Sequence, residues 1–145
     1  SYLNVYGIKT LKMSSYYESV SYPNKNDPKF INVIISVETS LPPIDLMSVL
    51  IFVEEKLERK RIKKNEPRTC DIDIIDYKQQ ILNFTYKGED LVIPHEKLQL
   101  RNFVLYPLRE IFPDWKHPKT NEKISTIIEK LSSEDRKSIY KVDNN

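Results

Sequence analysis

An α+β sandwich with a mostly antiparallel sheet is the fold that this sequence predicts. Strand-like and helix-like segments are mixed along the chain, and they do not follow strict βαβ alternation. The 145 residues fit one domain, and an apolar fraction of 39% is sufficient for a real core. We therefore expect residues 1–145 to form a single domain in which helices flank the sheet.

The first half of the chain carries two strand patterns and one helix pattern. Residues 8–19 are rich in β-forming side chains, and residues 30–38 form a largely apolar run. The segment between them holds prolines and asparagines typical of a loop, so a long hairpin is expected. A helix is predicted from Ser40 to about residue 60, because prolines stand in its first turn. Its apolar stripe consists of Leu46, Leu50, Val53 and Leu57.

The second half predicts a strand, a hairpin and two helices. Residues 70–76 alternate between polar and apolar side chains as a strand does, and two short runs between residues 81 and 93 could form a flanking hairpin. A helix is expected over residues 101–111, interrupted or shortened by Pro107. The last helix covers about residues 121–131, and the remaining tail is expected to be frayed.

Composition excludes several classes of protein. The single cysteine, Cys70, rules out an internal disulfide framework and suits a reducing compartment. No apolar run approaches the roughly 18 residues that span a bilayer, and the first residues carry no signal-peptide pattern. The only two glycines, Gly7 and Gly88, exclude every glycine-rich phosphate loop. We therefore expect a soluble, cytoplasmic protein that does not act at a membrane.

The strongest chemical signal is an aspartate pair beside a basic run. Asp71 and Asp73 stand two residues apart, which on a strand directs both carboxylates to one face, where they suit Mg²⁺. Residues 59–68 hold six basic residues and one acidic residue. A metal-binding pair near arginines fits a polyphosphate, although two solvated aspartates and a solvated lysine-rich loop remain the simpler alternatives. Nucleic-acid binding is a weaker interpretation, because the net charge is only +2 and few aromatics lie near the run.

Other polar and aromatic residues are ambiguous by themselves. Asn32 interrupts an apolar strand, so it needs a partner, which could be backbone or a polar heterocycle. His95, Phe30 and Phe103 are most simply interpreted as packing or solvated residues.

Several separated motifs together resemble 6-hydroxymethyl-7,8-dihydropterin pyrophosphokinase, an enzyme family of folate biosynthesis. These motifs are Pro67-Arg-Thr-Cys-Asp-Ile-Asp-Ile-Ile75, Leu91-Val-Ile-Pro-His95 and Arg101-Asn-Phe-Val-Leu-Tyr-Pro-Leu-Arg-Glu-Ile111. Stretches near residues 14–19, 30–33 and 37–41 resemble the same family in the same order, so the match covers about residues 8–118. The resemblance implies a ferredoxin-like sandwich that transfers pyrophosphate from ATP to the pterin hydroxymethyl group and releases AMP.

The resemblance also implies a role for each matching residue. Two Mg²⁺ ions would be bound by Asp71 and Asp73. ATP would be contacted by Arg68, Ile74, His95 and Arg101. The catalytic arginines would be Arg59, Arg61 and Arg68, the first two of which lie on a loop that closes over the nucleotide. The dihydropterin would be bound by Ser19, Val20, Phe30, Asn32 and Phe103.

One departure from the family keeps a second hypothesis open. The family begins with a strand that carries Gly-Ser-Asn, whereas the matching residues here start near Ile8. The alternative is therefore an N-terminally truncated, catalytically impaired homologue that only binds nucleotide or a partner protein. The expected partners are ATP and a dihydropterin. Nucleic acid is not expected to bind, and another folate-pathway domain is a possible further partner.

Overall fold

The computed structural model describes residues 2–20, 30–59 and 71–142, with only the backbone of Tyr2, Glu58 and Arg59. The strands are β1 (Lys9–Met13), β2 (Tyr17–Ser19), β3 (Phe30–Asn32), β4 (Ile35–Glu38), β5 (Leu82–Tyr86), β6 (Glu89–Ile93) and β7 (Ile139–Lys141). The helices are α1 (Tyr2–Val5), α2 (Pro43–Arg59), α3 (Asn102–Ile111), α4 (Ile124–Glu129) and α5 (Ser133–Lys137), with a 3₁₀ turn at Leu98–Leu100.

The fold is α+β with antiparallel strand pairing, which confirms the predicted class and is consistent with a ferredoxin-like sandwich. Within the described ranges the strands form three small sheets, in the orders β1-β4, β3-β2-β7 and β5-β6. Each pairing is antiparallel. None of the helices in this part of the chain is long and apolar enough to cross a membrane.

The predicted long hairpin is present, but each of its strands is divided in two. β1 pairs with β4, and β2 pairs with β3, so the two pairings are successive parts of one hairpin. At the division, the backbone N–H of Ser14 donates to the carbonyl of Ile34 at 2.9 Å. The Ser14 hydroxyl in turn accepts from the Ile34 N–H at 2.9 Å. A side chain thus replaces one ladder bond, and the regular pairing stops there.

The predicted helix stripe on α2 is confirmed. Leu46, Leu50 and Val53 are buried, and Leu57 is half-buried. Leu46 and Leu50 join a core cluster that also contains the buried side chains of Ile8, Tyr77 and Ile93. This cluster holds α2 against the β5–β6 hairpin and the start of β1.

The expectation that Pro107 interrupts the second long helix is wrong. α3 runs without a break from Asn102 to Ile111, and the ring of Pro107 is fully buried. Proline removes one backbone hydrogen bond, and the burial of its ring offsets part of that cost. α3 packs on α4 through a second core cluster in which Leu98, Leu105 and Ile124 are completely shielded from solvent.

The expectation of a frayed tail is also wrong as far as residue 142. Ser132 caps α5 by accepting a hydrogen bond from the N–H of Asp135 at 3.1 Å. β7 then pairs with β2, which places Ile139 opposite Ser19 and buries it. Residues 139–141 are held in place because they complete a three-stranded sheet, a contact that local sequence does not reveal.

The loop after α3 contains a buried histidine, His117. The Nδ1 atom of His117 accepts from the backbone N–H groups of Lys119 at 3.1 Å and Thr120 at 3.4 Å. Burial lowers the pKa of His117, and this outweighs the nearby carboxylates of Glu122 and Asp76, which favour the charged ring. The ring is therefore neutral at pH 7, with its proton on the other nitrogen.

We expect His117 to make the free energy of unfolding fall in mild acid. The unfolded chain binds a proton at His117 near pH 6.5, whereas the folded chain binds it only at lower pH. The stabilisation is thus complete above about pH 6.5 and declines below it, towards the pKa of the folded state. Urea unfolding at several pH values measures this, with His117→Asn as the comparison, because its side-chain oxygen can accept the same hydrogen bonds without titrating. Identical pH profiles for the two proteins would contradict the prediction.

Candidate active site

The aspartate pair lies on an extended segment that is anchored from both sides. Ile72 and Ile74 pack against the α2 core cluster, and Ile75 packs against the α3–α4 cluster. The side chains of Asp71 and Asp73, between these anchors, are exposed. The alternation expected of a strand is therefore present in burial, and it brings both carboxylates to solvent.

This segment does not form the predicted strand. Among the described residues, 71–76 join no ladder, and the N–H of Ile72 donates instead to the carboxylate of Glu54 on α2. Further along the segment, Asp76 accepts from the indole N–H of Trp115 at 2.9 Å. Side chains thus hold the segment in place where a neighbouring strand would otherwise do so.

The carboxylate pair suits a magnesium ion that is coordinated partly by the protein and partly by a bound substrate. Within the described residues there is no group of three or more histidine, cysteine, aspartate or glutamate side chains that could hold a metal. Mg²⁺ commonly takes one or two carboxylates and completes its shell with water and phosphate oxygens. Asp71 and Asp73 could supply the two carboxylates of such an ion.

Three of the residues predicted for dihydropterin binding share one face of the β2–β3 pair. Ser19 lies opposite Phe30, and Tyr17 lies opposite Asn32, so all four side chains point to the same side. α3 packs against β2 and β3. The Tyr17 hydroxyl donates to the carboxylate of Glu110 on α3 at 2.7 Å, which shows that this face is turned towards α3.

Glu110 is the link between α3 and the β2 strand. Its other carboxylate oxygen accepts from the backbone N–H of Ser15 at 2.7 Å and from the Ser15 hydroxyl at 3.2 Å. Lys141 on β7 lies 3.5 Å from the carboxylate. Burial by itself would raise the pKa of Glu110, but the hydrogen bonds from Tyr17 and Ser15 together outweigh it and lower the pKa. Burial and the bond to Glu110 also raise the pKa of Tyr17, so the pair stays a neutral phenol on a carboxylate.

The other end of α3 carries a group of donors. Arg101 approaches His95 with 3.2 Å between guanidinium Nη2 and imidazole Nε2, and the N–H of Lys97 lies 3.0 Å from His95 Nδ1. Both neighbours are hydrogen-bond donors, His95 is exposed and Arg101 is half-buried. A guanidinium with several N–H donors beside an exposed imidazole suits the oxygens of a phosphate.

Phe103 lies beside this donor group. The guanidinium of Arg101 stands 5.7 Å from the centre of the Phe103 ring, and the ring is half-buried against the α3–α4 core. The structure thus brings predicted ATP contacts and a predicted pterin contact together at the start of α3. Ile74 packs in the α2 cluster, Val20 is half-buried at the end of β2, and Phe30 is 59% exposed.

Part of the predicted site lies outside the described residues. This applies to Arg61, Arg68 and the side chain of Arg59. Sequence reasoning also missed three supporting residues, which are Glu54, Asn102 and Glu110. Glu110 and Asn102 fall inside a motif quoted above, but at a helix terminus they resemble ordinary solvated residues, and only their long-range contacts mark them out.

These features are typical of α+β domains that bind a metal-complexed polyphosphate beside a second ligand. The family model described as "7,8-dihydro-6-hydroxymethylpterin-pyrophosphokinase (HPPK)" matches residues 2–113. The chain belongs to this family, as the resemblance in sequence predicted.

Several curated relatives are similar over most of this chain. A 2-amino-4-hydroxy-6-hydroxymethyldihydropteridine pyrophosphokinase from Synechocystis is 38% identical over 127 residues, which is 88% of this chain and 63% of the relative. The enzyme of the same name from Aquifex aeolicus is 37% identical over 74% of this chain and 64% of its own length. The folic acid synthesis protein fol1 of Pneumocystis carinii is 38% identical over 94% of this chain, but that region is 18% of the relative. The chain thus spans less than two thirds of each of these proteins.

Proposed function

We propose that this chain transfers pyrophosphate from ATP to the hydroxymethyl group of 6-hydroxymethyl-7,8-dihydropterin and releases AMP. The observation that carries the proposal is the face of β2–β3 that bears Ser19, Phe30 and Asn32 and is turned towards α3, the helix that carries Phe103. Family membership and the names of the relatives support the same reaction.

In this reaction the hydroxymethyl oxygen attacks the β-phosphorus of ATP. A new oxygen–phosphorus bond forms, the bond from the β-phosphorus to the oxygen shared with the α-phosphate breaks, and AMP leaves with that oxygen. The hydroxyl proton passes to solvent. Such a transfer depends on positioning and on neutralising charge more than on a strong base.

Asp71 and Asp73 would bind two Mg²⁺ ions together with the triphosphate. When bound, Mg²⁺ would neutralise negative charge on the triphosphate. The chain contributes two exposed carboxylates on a segment fixed by Glu54 and Trp115. Arg59 and Arg61 are proposed to close over the nucleotide, Arg68 to contact its phosphates, and Ile74 to contact the adenine.

His95 and Arg101 are proposed to hold an ATP phosphate, because their side chains lie together and the guanidinium donates several N–H groups that suit phosphate oxygens. The pterin would then stack on Phe103 and bind through its polar edge to Asn32, with Ser19 and Val20 beside it.

Residues 1–145 would act as one domain, and the single cysteine and the use of ATP suit the cytoplasm. A second folate-pathway domain as a partner stays a prediction.

The proposal is tested by incubating the chain with Mg²⁺, ATP and the dihydropterin and measuring AMP. The expected result is AMP release that requires both Mg²⁺ and the dihydropterin. AMP that forms equally without the pterin would indicate a different ATP-hydrolysing activity. No AMP from a folded chain that still binds ATP would favour the catalytically impaired homologue.

Arg101→Met should raise the KM for ATP by about tenfold, because a charge-assisted hydrogen bond to phosphate is lost. Methionine keeps much of the packing against Phe103. The matched control is Arg109→Met, since Arg109 is exposed on the same helix and stacks on Tyr106. Steady-state kinetics with varied ATP measures both variants, and an equal effect of the two would argue against the assigned phosphate contact.

A further inference from the structure

The C-terminal residues 133–142 connect the two halves of the proposed dihydropterin site. These residues form α5 and β7 and lie beyond the part of the chain that the family model matches. β7 pairs with β2 and places Ile139 opposite Ser19. The carbonyl of Ser138 also accepts from the backbone N–H of Val20 at 3.0 Å. The segment thus fixes the end of β2, where Ser19 and Val20 lie.

The same segment fixes the start of α3. Asn102 is only 8% exposed and lies between Arg101 and Phe103. Its side-chain amide donates to the carbonyl of Asp135 at 2.7 Å and to the hydroxyl of Ser138 at 3.0 Å. Ser138 therefore touches both halves of the site, through its carbonyl on one side and its hydroxyl on the other.

Both links are well anchored. Ile139 next to Ser138 is buried, and α5 is capped by Ser132. Without the Asn102 donor, the Asp135 carbonyl keeps only the weaker bond from the Ser138 hydroxyl, at 3.4 Å. Losing the hydrogen bonds of a buried amide costs more than losing an exposed hydrogen bond. The connection therefore couples the position of the end of β2 to the position of the start of α3.

We infer that Asn102 is a positioning residue that, through Ser138, sets the spacing between Phe103 on α3 and Ser19 and Val20 at the end of β2, and thereby the affinity for the dihydropterin. This inference rests on the proposed function. The proposed ATP contacts have anchors of their own. Arg101 approaches His95, and the segment with Asp71 and Asp73 is held by Glu54 and Trp115, so ATP binding should depend on Asn102 much less.

The test compares Asn102→Asp with Asn83→Asp. Both variants make the same chemical change, but Asn83 is exposed on β5. Dissociation constants are measured by fluorescence titration, for the dihydropterin in the presence of a non-hydrolysable ATP analogue and for that analogue alone. The rate of hydrogen exchange at the Val20 amide reports whether its hydrogen bond to the Ser138 carbonyl is intact.

In Asn102→Asp we expect the dissociation constant for the dihydropterin to rise by about tenfold and that for the ATP analogue to change by less than about threefold. The Val20 amide should exchange faster, whereas Asn83→Asp should resemble the unmodified chain. If Asn102→Asp fails to fold, Ser138→Ala removes the hydroxyl that accepts from Asn102 and donates to the Asp135 carbonyl, but keeps the bond from Asn102 to that carbonyl. It should give a smaller change in the same direction. Its control is Ser125→Ala, because Ser125 is exposed on α4.

Two results would overturn the inference. One is unchanged dihydropterin affinity in a folded Asn102→Asp variant, and the other is an equal loss of affinity for both ligands. Because these are binding measurements, they are independent of turnover. A chain that binds both ligands but releases no AMP would refute the proposed transfer and leave this inference standing, whereas a chain that does not bind the dihydropterin would refute both.

Discussion

Replacing Asp73 by alanine is expected to reduce pterin-dependent AMP release by about a thousandfold, or about 4 kcal/mol of transition-state stabilisation. Asp73 is exposed on a segment whose neighbours Ile72 and Ile74 pack inwards, so the substitution should leave the core intact. The loss follows from the removal of one of the two carboxylates that are proposed to hold Mg²⁺ against the triphosphate. AMP release at saturating ATP and pterin measures the effect.

The metal role of Asp73 can be separated from a general loss of activity. Asp73→Asn keeps the shape of the side chain and one neutral oxygen ligand, so it should show a higher half-saturating Mg²⁺ concentration as well as a lower rate. The control is Asp114→Ala, because Asp114 is exposed in the loop after α3. Activity of Asp73→Ala within about tenfold of the unmodified chain would refute the assigned role.

Leu105→Ala should lower the free energy of unfolding by about 3 kcal/mol. Leu105 is completely shielded from solvent at the centre of the cluster that joins α3 to α4. The substitution removes buried methyl groups and leaves a cavity that Leu98 and Ile124 can fill only in part. Since α3 also carries Phe103 and Glu110 and begins directly after Arg101, looser packing should reduce substrate affinity as well.

The matched control is Leu100→Ala in the neighbouring 3₁₀ turn. Leu100 is 62% exposed, so its loss should change the free energy of unfolding by less than about 0.5 kcal/mol. Urea unfolding of both variants gives the comparison. A loss below about 1 kcal/mol for Leu105→Ala would mean that the α3–α4 cluster is not a close-packed core.

Several elements followed from local sequence because one physical signal dominated each. Regular apolar spacing predicted α2, and short alternating runs predicted the β5–β6 hairpin. The hairpin has Lys87 and Gly88 at its turn, where both residues have positive φ. The predictions failed where distant residues decided the outcome. The burial of Pro107 and the pairing of β7 with β2 depend on contacts far along the chain. The same holds for residues 71–76, which join no ladder with the described part of the chain and are held by side chains instead.

The sequence by itself determined the α+β class and the family, and it supplied the candidate site residues. The aspartate pair is recognisable from residue type and spacing, whereas Arg101 and Phe103 become candidates only through the family motif. Only the tertiary structure decided how these groups are held together. Glu110 reaches Ser15 and Tyr17, more than ninety positions away along the chain, and Asn102 reaches Asp135 and Ser138. Such hydrogen bonds form between residues that no local pattern relates, because they depend on how helices and strands pack.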